Sequence, residues 1–162
     1  MWASERLDVA HRLDKFRCGN DDLDKWLKTA ALDCDRADLS RTYVWSDDGS
    51  VVALFALAPH EIRRETLPKR RQTGPSVIPV ILLAKLALNE ELQGNGLGAQ
   101  LLVDALGRAA GAVHQAGGRS IVVDAINDTA REFYQHHGFK PIPNNPLRLI
   151  MRSSDAAASL DL

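Results

Sequence analysis

One stretch constrains the fold of this chain more than any other. Between Val77 and Leu102 an almost unbroken apolar run, Val77–Leu88, passes through the polar loop Asn89–Gln93. Glycines follow at three alternate positions, Gly94, Gly96 and Gly98, and then a helical pattern begins. Only Pro79 and Lys85 interrupt the apolar run, so it reads as a strand covered on both faces. From Gly96 to Gln115, Leu97, Leu101, Ala105, Ala109 and Val113 recur every fourth residue, which predicts a helix that Gly117-Gly118 stops. Ile121–Ile126 is a second buried strand. A strand–helix–strand unit of this length predicts two parallel strands joined by a right-handed crossover.

Alternating glycines let backbone N–H groups approach a ligand without Cβ interference. The helix start behind them adds unpaired donors and the positive end of its dipole. Together they predict a phosphate or pyrophosphate cradle. Two patterns fit. Gly94-Asn95-Gly96-Leu97-Gly98-Ala99 matches the dinucleotide fingerprint G-x-G-x-x-A, and Asp124 stands near the end of the next strand. That fold places its glycines directly after the strand, whereas Asn89–Gln93 intervene here. It also needs further strand–helix units, and 38 residues remain after Asp124. The second pattern is Q-x-x-G-x-G, filled by Gln93, Gly96 and Gly98.

Elsewhere, Leu23, Trp26, Leu27, Ala30 and Ala31 form one apolar stripe, predicting a helix over Asp21–Asp33 with Asn20 as its N-cap. Thr42–Trp45 and Val51–Ala58 read as strands joined by a hairpin loop at Ser46–Ser50. Asn127-Asp128 opens a short helix through His137, ended by Gly138. Phe139–Ile142 and Leu147–Met151 are closing strands, and Ser153–Leu162 is a weakly structured tail. The order predicts an α/β (α+β) fold: one domain over 1–152, then a flexible tail over 153–162.

With 162 residues, 45% of them hydrophobic, the chain can offset the entropy of ordering, which excludes disorder as its overall state. No run approaches the roughly 18 apolar residues of a membrane span, and the N-terminus lacks a signal-peptide core, so a cytoplasmic protein is expected. Cys18 and Cys34 are too few for a disulfide scaffold and are expected as free thiols. His136 and His137 are adjacent on a helix and diverge, and no metal-binding set is expected. Twenty basic residues face 21 acidic ones, so no net charge draws the chain to nucleic acid. Any polyanion must meet a local patch. His60–Gly74 offers one in Arg63, Arg64, Lys69, Arg70 and Arg71, though a solvated loop would have the same composition.

The Gln93, Gly96, Gly98 loop, Asn127 after the next strand, and Ala130-Arg131-Glu132-Phe133-Tyr134 through Gly138-Phe139 resemble the GNAT superfamily of N-acetyltransferases. The N-terminal half narrows this. Phe16-x-Cys18-Gly19, Leu23-x-x-Trp26-Leu27 and Ser40-Arg41-Thr42-Tyr43-Val44 are similar to the GNAT toxins of type II toxin–antitoxin modules, the TacT and AtaT group. The resemblance implies a central mixed, twisted sheet flanked by helices. Its two parallel strands, 80–88 and 121–126, splay around the pantetheine arm of acetyl-CoA.

By the same resemblance, Leu86, Ala87, Leu88, Gln93, Gly94, Asn95, Gly96, Leu97, Gly98, Asn127 and Phe133 hold acetyl-CoA, and Tyr134 protonates the departing thiolate. Arg41 joins Arg63, Arg64, Lys69, Arg70 and Arg71 as the surface for tRNA. The implied reaction moves acetyl to the α-amine of aminoacyl-tRNA and blocks translation. The implied partners are a small DNA-binding antitoxin of ribbon–helix–helix type and a second copy of the chain. An acetyltransferase for a small-molecule or protein amine, and a catalytically silent CoA-binding module, are the alternatives.

Overall fold

The computed structural model describes residues 2–158. The elements follow in the order β1 (Glu5–Arg6), α1 (Asp21–Thr29), α2 (Ala31–Arg36), β2 (Arg41–Asp47), β3 (Ser50–Arg63), β4 (Val77–Leu88), α3 (Leu97–Ala116), β5 (Ser120–Asp124), α4 (Asp128–His136), β6 (Lys140–Ile142), β7 (Asn145–Arg152) and α5 (Ser153–Ala158). The strands form one mixed seven-stranded sheet in the order β1-β2-β3-β4-β5-β7-β6. β4 and β5 are parallel, paired over Ile81–Leu83 and Ile121–Val123, while β1–β2, β2–β3, β5–β7 and β6–β7 are antiparallel. No helix among the described residues is long and apolar enough to cross a membrane.

The chain divides into two compact units. One comprises the stretch ending at Ala58 with Ala84–Ala105, the other Pro59–Leu83 with the stretch from Leu106 onward. The first unit packs Leu7, Phe16, Leu27, Ala31, Val44, Val51, Leu54 and Ala87 into one cluster. Burying a side chain as large as Phe16 contributes roughly 1.5–3 kcal/mol. Asp104 staples this unit together: it accepts from Ser4 N at 3.1 Å, Ser4 Oγ at 2.7 Å and Trp45 Nε1 at 2.8 Å. The second unit packs Ile62, Leu67, Ile78, Val80, Val122, Ile142 and Ile150.

Several local differences from the sequence expectations have clear causes. The predicted helix over Asp21–Asp33 is two helices, because Ala30 takes a non-helical φ of −132°. Leu27 and Ala31 stay in the core across that bend. The 46–50 loop tightens to a two-residue turn, with Asp48 and Gly49 both at positive φ and Asp47 paired with Ser50. β3 continues to Arg63 because Ile62 plugs the second core. β4 has the predicted limits but is not covered on both faces, since Ile78 and Val80 are buried while Val77 and Pro79 are exposed. The second parallel strand stops at Asp124, and Ile126 lies 73% exposed. The expected loose tail begins with a helix, Ser153–Ala158, anchored by Ser153 Oγ donating to Gly118 O at 2.9 Å. Residues 159–162 lie outside the described residues.

Candidate active site

The glycine loop belongs to the first unit and is built on the end of β4. Asn89 N donates to Val52 O at 2.8 Å, and Asn89 Oδ1 accepts from Arg17 N at 2.9 Å. Glu90 N in turn donates to Arg17 O at 2.8 Å. A single 3-10 turn, Glu90–Leu92, brings the chain to Gln93. The Gln93 side chain donates twice, to Cys18 O at 2.9 Å and Leu88 O at 2.8 Å. Its amide therefore braces the loop against the strand end and the turn before α1, leaving any ligand to the backbone beyond it. That turn is itself held by the buried Asp24, whose Oδ1 accepts from Cys18 N at 3.0 Å. Burial, and secondarily the hydrogen bond to Asp24, push the Cys18 thiol up to about 11, so it stays protonated at neutral pH.

Gly94 and Gly96 sit at φ of +84° and +78°, a backbone region L side chains avoid. A Cβ at either would meet nothing within 4 Å, so dihedral angle rather than space demands glycine there. These two turns deliver the chain to Leu97, where α3 starts with its first N–H groups lacking intrahelical partners. Leu86, Ala87, Leu88, Gln93, Gly94 and Gly98, with Leu101, line one cavity of about 220 Å³. Asn95, Gly96 and Leu97 complete the same loop without lining it, and Asn95 Nδ2 lies 3.5 Å from Gln93 O.

In the second unit, Asn127 Oδ1 accepts from Ala130 N at 2.9 Å and so caps α4. α4 carries Phe133 and Tyr134. Tyr134 is 8% exposed and meets Phe133 and Phe139 edge-on, with ring centroids 5.3 and 5.6 Å away. Its ring packs as a core residue, and its hydroxyl has no hydrogen-bond partner among the described residues. Burial pushes the phenol up to about 12, so Tyr134 holds its proton throughout the neutral range. Phe133 is half-buried and also meets His137 edge-on at 4.8 Å. At the end of β5, Arg148 grips Asp124 with two hydrogen bonds of 2.7 and 2.8 Å and holds its carboxyl below the usual range. Residues 24 apart carry no spacing signal for such a pair.

The basic residues do not act as one group. Arg41, in the first unit, is tied to Asp38 at 2.7 Å and Asp35 at 3.4 Å. Arg63 pairs with Glu65 at 2.6 Å, and Arg64 donates to Gly74 O at 2.6 Å. Lys69, Arg70 and Arg71 share one 3-10 turn, and Arg70 and Arg71 line a common cavity.

A strand carrying a glycine loop into a helix, with the capped aromatic helix following, has a match among known families: the acetyltransferase (GNAT) domain, over residues 38–141. The chain belongs to the GNAT acetyltransferases. It is 40% identical over 157 residues to the tRNA-acetylating toxin of Mycobacterium tuberculosis, covering 96% of this chain and 95% of that one. Among solved structures it resembles AtaT complexed with acetyl-methionyl-tRNAfMet, at TM-score 0.89 and 27% identity, covering 98% and 99% of the two chains. It also resembles a tyrosine-to-phenylalanine variant of AtaT bound to the C-terminus of the antitoxin AtaR, at TM-score 0.83 and 25% identity, covering 98% and 96%. The expected GNAT fold and toxin-like relatives are thus both found.

Proposed function

We propose that this GNAT enzyme moves acetyl from acetyl-CoA to the α-amine of aminoacyl-tRNA, blocks translation by doing so, and is neutralised by a cognate antitoxin. The observation that carries the reading is the 40% identity, over nearly the full length of both chains, to a tRNA-acetylating toxin. Acetyl-CoA is the donor. Residues Gly94–Gly98, braced by Gln93, present backbone N–H groups to its pyrophosphate, and Leu86–Leu88 pair with the pantetheine arm as an added strand would. Asn127 and Phe133 are the further residues that this reading assigns to acetyl-CoA.

The acceptor chemistry is undemanding. A free α-amine has a pKa of about 7.7–8.0, and the ester beside it in aminoacyl-tRNA lowers this further. Much of the nucleophile is therefore neutral at pH 7 without a strong protein base. The amine nitrogen bonds to the thioester carbonyl carbon and the C–S bond breaks. The surplus amine proton leaves to water, the thiolate takes the proton of Tyr134 Oη, and water returns a proton to the phenolate. A β4 backbone N–H stabilises the oxyanion formed in between.

Among the basic residues, Lys69, Arg70 and Arg71 contact tRNA phosphates, while Arg41, Arg63 and Arg64 contribute less because internal acceptors already hold them. The same reading has the enzyme acting in the cytoplasm as a homodimer whose two basic faces hold one acceptor arm, with a ribbon–helix–helix antitoxin.

Labelled acetyl-CoA offered to charged tRNA, deacylated tRNA and small amines side by side tests the reading. Label is expected on charged tRNA alone. Label confined to small amines overturns it.

A further inference from the structure

Five cations and one carboxylate gather around the N-terminal end of β5. Two cavities of about 420 and 410 Å³ share Arg70, Arg71 and Arg152. Lys140 and Asp155 help line the first, and Arg119 lines the second. Several of these groups have built seats. Arg71, half-buried, reaches Ser120 Oγ at 3.4 Å. Arg119 Nη1 donates to Thr73 O at 2.6 Å. A Cβ at Gly74, where φ is +88°, would stand 2.6 Å from Arg119 Nη2, so a side chain there would displace the guanidinium. Arg152 holds Asp155 at 3.1 and 3.5 Å, an exposed and long pairing. Arg70 and Lys140 are exposed and make no ion pair among the described residues.

Held like charges repel, and a single carboxylate offsets five cations here. Such a cluster costs stability unless a polyanion meets it. Arg71 feels this directly, since burial and then the charge of Arg152 lower its pKa from the usual value. Planar guanidinium forks suit phosphate oxygens, and two cavities sharing their arginines suit successive phosphates of one backbone.

We propose that Arg70, Arg71, Arg119, Lys140 and Arg152 form a contact site for the phosphate backbone of RNA, in which Asp155 occupies the Arg152 fork until phosphate displaces it. The proposal rests on the reading that RNA is the acceptor, and it adds three cations that the basic stretch 63–71 does not contain. The site also lies at the opposite end of β5 from Asp124 and the Asn127 cap.

Deacylated tRNA binding, measured by fluorescence anisotropy across a salt series, tests it on the full chain. Lys140→Gln with Arg152→Gln should weaken binding about tenfold. The slope of log affinity against log salt should flatten by roughly one unit for each phosphate left without its cation. Asp155→Asn should tighten binding severalfold, and a gain cannot come from misfolding. Acetyl-CoA affinity should hold in both. Unmoved tRNA affinity in both variants overturns the proposal, as does a shift in poly-glutamate binding with none in tRNA binding. Acetylation of charged tRNA by wild type with both variants unmoved leaves the acetyltransferase reading standing and removes this site. Normal tRNA binding and the expected variant shifts without acetyl transfer do the reverse.

Discussion

The glycine loop of the first unit and the basic segment of the second are equally conspicuous in the amino-acid sequence, yet they fold by different rules. The loop stays together. Gln93, two residues at positive φ and a helix start follow closely in the chain, and the Gln93 side chain ties them to the strand end. The basic segment comes apart. Arg63 turns to Glu65, Arg64 to Gly74 O and Arg71 to Ser120, while Arg119 and Arg152 arrive from distant elements to join Arg70. A backbone-built site is local, whereas a charge-built site is assembled by the tertiary fold.

The largest expected effect tests the side-chain chemistry that the loop serves. Tyr134→Phe should keep the fold and acetyl-CoA affinity while turnover falls about 10²- to 10⁴-fold, the usual worth of a placed acid. Because burial pushes this phenol up to about 12, loss of its proton should not limit the wild-type rate below roughly pH 11. The rate should instead rise as the acceptor amine deprotonates and then level. Unchanged turnover in the variant removes Tyr134 from the role.

Next in size is Gly96→Val. A β-branched residue at φ +78° is strained by about 1–3 kcal/mol, and the loop relieves that strain by leaving the geometry that aims its N–H groups. Acetyl-CoA affinity by calorimetry should fall more than about tenfold, with little change in tRNA binding. Equal losses of both ligands would mean that the two regions are not separate in the way their construction indicates.

What is legible in the sequence follows the same division. The strand limits Val77–Leu88, the Asn20 and Asn127 caps and the parallel β4–β5 pairing are legible because each depends on neighbours in sequence or on a strong apolar period. The bend at Ala30 is not, since the stripe from Leu23 to Ala31 stays in phase across it. Nor is the opening of β4 over Val77–Val80, because an apolar run does not reveal which face its neighbours leave uncovered. Gln93 is legible as part of the site but not as a brace, for its partners Cys18 O and Leu88 O lie 75 and 5 residues away. The Asp104 staple and the Arg148–Asp124 pair give no signal at all.

The Gln93 brace predicts a smaller effect than the glycine. Gln93→Ala removes two hydrogen bonds to backbone carbonyls, each worth about 0.5–1.5 kcal/mol. It should lower the unfolding free energy by about 1–2 kcal/mol in a denaturant titration and weaken acetyl-CoA severalfold. Gln93→Glu cannot donate to either carbonyl and should behave no better. Full affinity in the glutamate variant would show that the loop holds its shape without the brace.

The smallest effect separates residues that are neighbours in sequence. Arg63 and Arg70 carry the same charge seven positions apart, but only Arg70 faces the shared cavities. Arg63 is exposed and already commits its guanidinium to Glu65, which holds that carboxyl below its ordinary range. Exposed, solvent-screened pairs of this kind contribute little, so Arg63→Gln should change stability little. It should also reduce tRNA affinity less than about threefold, where Arg70→Gln reduces it by more and takes roughly one unit from the salt slope. Equal losses from the two variants would return the basic segment to a single diffuse patch, in which linear proximity rather than the fold decides what meets the RNA.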